Sequence, residues 1–408
     1  MDERPDRALA LRLFRAALAA ADPEAVVRRA LRLAPPAERD AVVVAIGKAA
    51  MRMLDGASDW ISDLPRRPPV LVATNPENLR GAGRAGAEVV AGGHPIPDEG
   101  SLRAGRAVTR AMEGAGRGTR VLLLLSGGAS ALVAAPAEGL TLADKAQASR
   151  LLVGSGASIG EVNLVRQHLS RLKGGGLARL AAPAPVTALI LSDVVGDDPR
   201  AIGSGPAAPP LGTRGEARAL CRRLGVWDRL PGAVRGRLET TEDPAPVPEA
   251  DLRIVGSNAA SLAAMAAAHP AATRHREPLV GDVAEAAARV AACGPGVHLF
   301  GGETTVRVRG DGLGGRNQEL ALRVALALDG PFAFLSGGTD GRDGPTDAAG
   351  ALVDEGTAAR AEAAGTDPRA ALDRNDSNRA LAAAGDLLVT GGTGTNVADV
   401  QVLVRPGT

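Results

Sequence analysis

Short apolar runs that lack polar alternation recur along this chain between helical segments, and this rhythm restricts the fold more than any other feature. Ala41-Val42-Val43-Val44-Ala45-Ile46 is the first, and residues 70–73, 88–91, 121–125 and 186–191 repeat the pattern. Strands that are apolar on both faces predict a parallel sheet with helices covering each side. The segments between them carry helix-start signals, such as Thr141-Leu142-Ala143-Asp144 and Ser158-Ile159-Gly160-Glu161. An amphipathic helical region from about residue 5 to 33 precedes the first strand. It is interrupted at Asp22-Pro23-Glu24, a cap followed by proline at the first helical position.

At 408 residues the chain exceeds one ordinary core, so two domains are expected. Residues 230–251 are rich in Pro, Glu and Thr with little periodicity. The boundary falls there, giving domains 1–240 and 250–408. After it the α/β pattern resumes, with strands expected at 252–255, 297–300, 304–308, 331–335, 386–389 and 398–404. The predicted fold class is α/β in both domains.

Composition removes several functions. A net charge of +1 gives no electrostatic case for nucleic acid or anionic lipid. No apolar run reaches the length of a membrane span, and the charged start Met1-Asp2-Glu3-Arg4 lacks a signal-peptide core, so a cytoplasmic location is expected. With four Phe, two Trp and no Tyr, base-stacking platforms are scarce. An adenine ring bound here would lie between aliphatic side chains. Cys221 and Cys293 stand far apart in helical or helix-end contexts, which argues against a disulfide or a metal pair, and the five histidines show no metal spacing. Only three of the 47 Lys and Arg residues are lysine: Lys48, Lys145 and Lys173. Where arginine has replaced lysine almost everywhere, a remaining lysine is a candidate for a compact point charge on phosphate. Lys145, on a polar helix face, reads as chance survival.

Glycine turns follow several strands. Ile46-Gly47-Lys48 joins a strand to a helix without a Walker loop, and Lys48 either reaches an anion near the helix start or is a surface lysine. Ser126-Gly127-Gly128-Ala129-Ser130 offers amides and hydroxyls to phosphate or carboxylate, or is a plain tight turn. Lys173-Gly174-Gly175-Gly176 reads equally as a helix C-cap or as a ligand loop. Asp193, in Leu191-Ser192-Asp193-Val194, is the carboxylate best suited to chemistry, and carboxylates beside such turns suit Mg²⁺. Ile202-Gly203-Ser204-Gly205-Pro206 reads as a shaping segment of the same loop. His94 is the one histidine in a site-like loop. Gly81-Ala82-Gly83-Arg84-Ala85-Gly86 spells a dinucleotide pattern but runs into a strand rather than a helix, so it is rejected. The densest glycine run is residues 301–350. It holds Gly301-Gly302-Glu303, Gly314-Gly315-Arg316-Asn317-Gln318-Glu319 and Ser336-Gly337-Gly338-Thr339-Asp340-Gly341, and reads as a site for a small phosphate-bearing ligand.

These residues resemble a known family. Ile46-Gly47-Lys48-Ala49, Gly93-His94-Pro95-Ile96-Pro97-Asp98, Leu125-Ser126-Gly127-Gly128-Ala129-Ser130 and Leu191-Ser192-Asp193-Val194 are similar to the N-terminal domain of type-2 glycerate kinases. Gly301-Gly302-Glu303-Thr304-Thr305, the Gly-Gly-Arg-Asn-Gln-Glu segment and Gly391-Gly392-Thr393-Gly394-Thr395-Asn396 resemble the C-terminal MOFRL domain of that family. Residues 72–78 fit the family pattern poorly. The resemblance implies a Rossmann-like α/β/α first domain, a smaller α/β second domain and an active site in the interdomain cleft. It also implies phosphorylation of D-glycerate at the 2-hydroxyl by ATP with Mg²⁺. Small-molecule substrates are its partners, and a homo-oligomer is admitted without a stated order. Hydroxypyruvate reduction with NAD(P)H, the label of some relatives, is the alternative.

Under this resemblance Lys48, Arg316 and Asp193 are the expected catalytic residues. Arg316 would grip glycerate's carboxylate or the γ-phosphate in a bidentate fork. Asp193 is the first candidate for general base or metal ligand and Asp340 the second. Ser126, Gly127, Gly128, Ser130, Lys173, Gly174, Gly175, Glu303, Asn317, Ser336, Gly337, Gly338 and Asp340 are expected to contact substrate or nucleotide.

Overall fold

The computed structural model describes residues 5–36, 40–79, 86–240 and 245–407. The rejected dinucleotide pattern, apart from Gly86, lies outside the described residues. Two compact units emerge, Pro23–Val255 and Met1–Asp22 with Gly256–Thr408. Among the described residues no helix is long and apolar enough to cross a membrane.

The first unit is built on six strands: β1 (Asp40–Ile46), β2 (Val70–Thr74), β3 (Ala87–Ala91), β4 (Thr119–Leu125), β5 (Val186–Leu191) and β6 (Asp251–Gly256). Their order is β3-β2-β1-β4-β5-β6, and the β1–β2, β1–β4, β2–β3 and β4–β5 pairs are parallel. Val42, Val44 and Ile46 enter one core with Leu123 and Leu125. Their neighbours Val43, Ala45, Leu122 and Leu124 are just as fully buried on the other face. That two-sided burial is why the runs are continuously apolar. β6, expected to open the second domain, instead hydrogen-bonds to β5 at the edge of this sheet.

The second unit has a mixed sheet. Its strands are β7 (Thr273–Arg274), β8 (Leu279–Asp282), β9 (Gly296–Thr305), β10 (Ala333–Gly338), β11 (Gly350–Asp354), β12 (Leu387–Leu388) and β13 (Asp399–Arg405). The order is β12-β11-β10-β13-β9-β7, with β8 also paired to β9. The β9–β13, β13–β10, β10–β11 and β11–β12 pairs are antiparallel, while β7 and β8 run parallel to β9. Side chains alternate across it. Phe300, Phe334 and Leu403 face one core with helix Arg316–Ala327, and Leu299, Leu335 and Val402 face another.

That second core receives helix Pro5–Ala20, which the sequence boundary had assigned to the first domain. Leu13, Phe14 and Ala17 of this helix are fully buried beside Leu262 and Met265. Two expected strands, 297–300 and 304–308, merge into the single strand β9, which carries Gly301 and Gly302 within it. Ser336, Gly337 and Gly338 likewise end β10 rather than forming a turn.

Candidate functional site

β1, β4 and β5 are neighbours in a parallel sheet, so the loops after them share one edge, the usual place for ligands in such folds. The first two loops interlock. Lys48 N donates to Gly127 O at 2.9 Å, and Ser126 N donates to Ile46 O at 2.9 Å. The buried Ser126 hydroxyl accepts from Ala49 N at 3.1 Å. The Ser126 hydroxyl thus braces the two turns. Gly128 has φ +84, and a Cβ there would lie 3.2 Å from both Lys48 Cγ and His94 Cδ2. Gly128 is therefore the surface on which those two side chains lie, and any side chain would move them. Asn78, from the loop that fits the family pattern poorly, donates to Lys48 O at 2.8 Å.

Ser130 links this turn to a second cluster. Its hydroxyl lies 2.7 Å from Ser204 Oγ, and Lys173 Nζ donates to Ser130 O at 3.2 Å and to Ser204 Oγ at 3.3 Å. Ser204 Oγ in turn donates to Asn163 Oδ1 at 3.1 Å. Ser204 sits fully buried at φ +62, a conformation that a serine adopts only when its surroundings enforce it. Read from sequence as a shaping residue, it is a hub of the network.

Around Lys173 the charges are of one sign. Burial lowers its pKa well below the ordinary lysine value, and the charges of Lys145 and Arg166 lower it further. Lys145, on helix Leu142–Gly154, is half-buried as a residue, yet protein atoms crowd its ammonium. That burial, with the charge of Arg166, lowers its pKa to about 8. Arg166, on helix Ile159–His168, is itself lowered by burial and donates through Nε to Ser149 Oγ at 3.1 Å. Among the described residues no carboxylate acts on any of the three. Clustered buried cations without a counter-charge are costly, and an anion supplied from outside relieves that cost.

Lys145 and Arg166 join Lys173 in this cluster, although neither stands among the residues that the sequence singles out for a site. For Lys145 the scarcity of lysine was the available signal. The amides of Gly174 and Gly175 donate to Ser204 O and Gly205 O at 3.0 and 2.8 Å, and a Cβ on Gly175 would overlap Val247. They shape the loop that presents Lys173. Asp193 follows β5, half-buried. Burial raises its pKa, while its own backbone amide and the charge of Lys48 pull the other way.

In the second unit Arg316 opens helix Arg316–Ala327. Its Nε and Nη2 donate to the two oxygens of buried Asp399 at 2.6 and 3.0 Å, and Nη1 meets Glu303 at 2.8 Å. One edge of the guanidinium is thus held by Asp399. Burial opposes the charge of Arg316, but the hydrogen bond and charge of Asp399, with Glu303 and Asp343, outweigh it and raise its pKa. Asp343 occupies the start of the helix, accepting from Asn317 N at 3.1 Å and Gln318 N at 2.9 Å. A Cβ on Gly315 would overlap that carboxylate. The anion that the helix start invites is therefore internal.

Asn317 and Ser336 meet each other. Both are buried, and the Ser336 hydroxyl donates to Asn317 Oδ1 at 2.6 Å. Gly337 is packed against Phe14, and Gly338 N donates to Ala349 O at 2.8 Å. Asp340 is half-buried and accepts from Arg342 N at 3.1 Å.

Residues 9–239 match a family described as a domain of unknown function, DUF4147, and residues 296–399 match the MOFRL family. A protein of Thermotoga maritima named D-glycerate 2-kinase is 38% identical over 97% of this chain and 97% of its own length. A protein of Agrobacterium vitis with a provisional hydroxypyruvate reductase name is 39% identical over 96% of this chain and 93% of its own. The crystal structure of a glycerate kinase from Thermotoga maritima superposes with a TM-score of 0.87 at 36% identity, covering 98% of this chain and 99% of that one. The chain belongs to the glycerate 2-kinase family, whose first domain is the DUF4147 domain and whose second is the MOFRL domain.

Proposed function

We propose that this protein phosphorylates D-glycerate at its 2-hydroxyl with ATP, giving 2-phosphoglycerate and ADP. One observation carries the reading most directly: Lys48 and Lys173 both meet the 126–130 turn, and Lys145 joins Lys173 in a cation cluster on which, among the described residues, no carboxylate acts. Phosphoryl transfer asks a protein chiefly for positioning and for positive charge where negative charge spreads. In this reading Lys145, Arg166 and Lys173 neutralise the polyphosphate, and Lys48 faces the transferring group. Asp193 accepts the proton of the 2-hydroxyl, a role helped by a pKa already raised by burial.

Mg²⁺, when bound, offsets phosphate charge. Asp193 fits its preference for one or two carboxylates with phosphate oxygens, for among the described residues no guanidinium is paired with it. Asp340 is the second carboxylate suited to that ion. Arg316 contributes through Nη1, where exposed Glu303 can give way to a ligand anion while Asp399 keeps the guanidinium oriented. A location in the cytoplasm accords with this substrate class. The test is ADP release that depends on D-glycerate. NAD(P)H oxidation with hydroxypyruvate and no ATP requirement would replace this reading by a reductase.

A further inference from the structure

The second unit brings together three side chains that the sequence separates. Parallel pairing of β7 with β9 sets Thr273 opposite His298 and Arg274 opposite Leu299. The next residue, His275, donates its backbone N–H to Leu299 O at 3.0 Å and stacks on Phe300 with ring centroids 4.1 Å apart. His298 and Phe300, two apart on β9, share a face of the strand. Cys293 stands in the short return from helix Val283–Ala291 to β9, its carbonyl held by Arg405 Nη1. Sequence spacing gave no hint of this cluster, because strand pairing rather than a local motif assembles it.

Its geometry is that of a chelate. His275 Nε2 lies 3.1 Å from His298 Nδ1 and 4.0 Å from Cys293 Sγ, and the three ligand atoms all lie within 4.8 Å of one another. Tetrahedral zinc, with bonds of about 2.0–2.3 Å to N and S, puts its ligand atoms roughly 3.3–3.7 Å apart. Side-chain movements of up to about an ångström would close the set. The tautomer is also fixed. His298 Nε2 lies 3.0 Å from Gly294 O, which can only accept, so the proton is on Nε2 and the lone pair on Nδ1 faces the cluster. A backbone carbonyl on the distal ring nitrogen is the usual support of a metal-bound histidine.

We propose that His275, Cys293 and His298 form a binding site for a thiophilic divalent cation of the zinc class, with water in the fourth position. Two imidazoles and a thiolate suit zinc and its neighbours rather than Mg²⁺ or Ca²⁺, so the site is separate from any ion used with ATP. His275 and Cys293 are half-buried and leave an entry path, while His298 is 9% exposed and anchors the set. Binding releases the thiol proton, which burial otherwise holds on Cys293 and which Arg405 and Arg289 help to remove. The ion would tie β7, the return segment and β9 together.

Chelator-treated full-length protein titrated with Co²⁺ tests this. One equivalent should bind with a sulfur-to-metal charge-transfer band and the visible intensity of a tetrahedral ion, and Zn²⁺ should displace it. Cys293→Ser should abolish the charge-transfer band and His298→Gln should weaken binding by about 10–100-fold. Cys221→Ser should change neither. Zn²⁺ should raise the unfolding temperature of the unaltered protein and not that of folded Cys293→Ser, whose kinase turnover should be unchanged. Absence of saturable one-equivalent binding, or a cobalt spectrum indifferent to Cys293→Ser, overturns the proposal.

Discussion

Lysine at position 173 is surrounded by neutral acceptors and two other cations, which makes it the residue most dependent on an incoming anion. Lys173→Met keeps the buried stem and removes the charge, so it should reduce kcat/KM by about 10²–10³-fold in steady-state assays while leaving the fold intact. Lys145 adds a pH signature. Its ordinary pKa of 10.5 falls to about 8 in the folded chain. Between those values the unfolded chain holds a proton that the native state has lost, so native stability rises across this window. Phosphate binding changes in the opposite sense, because the ammonium disappears. The KM for ATP should therefore climb as pH passes about 8, and Lys145→Arg should flatten that climb. At Gly128 a methyl group would meet both Lys48 and His94 and would strain a positive φ. Gly128→Ala should lower kcat about tenfold or more, with a stability loss of about 1 kcal/mol in denaturant unfolding.

Among the elements, helix Arg316–Ala327 shows how a motif can be specific without touching ligand throughout. Its Gly-Gly-Arg-Asn-Gln sequence places Gly315 under the Asp343 carboxylate and gives that carboxylate two backbone amides and the Gln318 side chain. Asp343→Ala should destabilise the second unit by about 1–3 kcal/mol, visible as an earlier unfolding transition. The parallel strands of the first unit were legible because two-sided burial writes itself as continuous apolar runs. Gly301, Gly302 and Ser336–Gly338 were misread as loop because glycine density suggests ligand approach, whereas here Asn258, Leu279 and Phe14 make the close approach. Ser204 and Arg166 left no local signal, since their importance comes from elements that meet only in the folded unit. Strand-end position and lysine scarcity single out Lys48, Ser130, Lys173 and Asp193 in the sequence, and the structure shows Lys173 bonded to Ser130 and the charge of Lys48 acting on Asp193.

Across the whole molecule, chain order and unit membership differ at both ends of the first unit. Helix Pro5–Ala20 completes the core of the unit that holds residues 256–407, and β6 closes the first sheet. A single-domain fragment ending near residue 240 would thus lose β6. One measurement tests the central claim most directly: full-length protein incubated with D-glycerate and Mg-ATP, the product followed through enolase, which consumes 2-phosphoglycerate but not the 3-isomer. The account predicts glycerate-dependent ADP release matched by enolase flux, with both sharply reduced in Lys173→Met. Release of ADP without enolase flux, no ADP release at all, or a Lys173→Met protein with undiminished kcat/KM would contradict it.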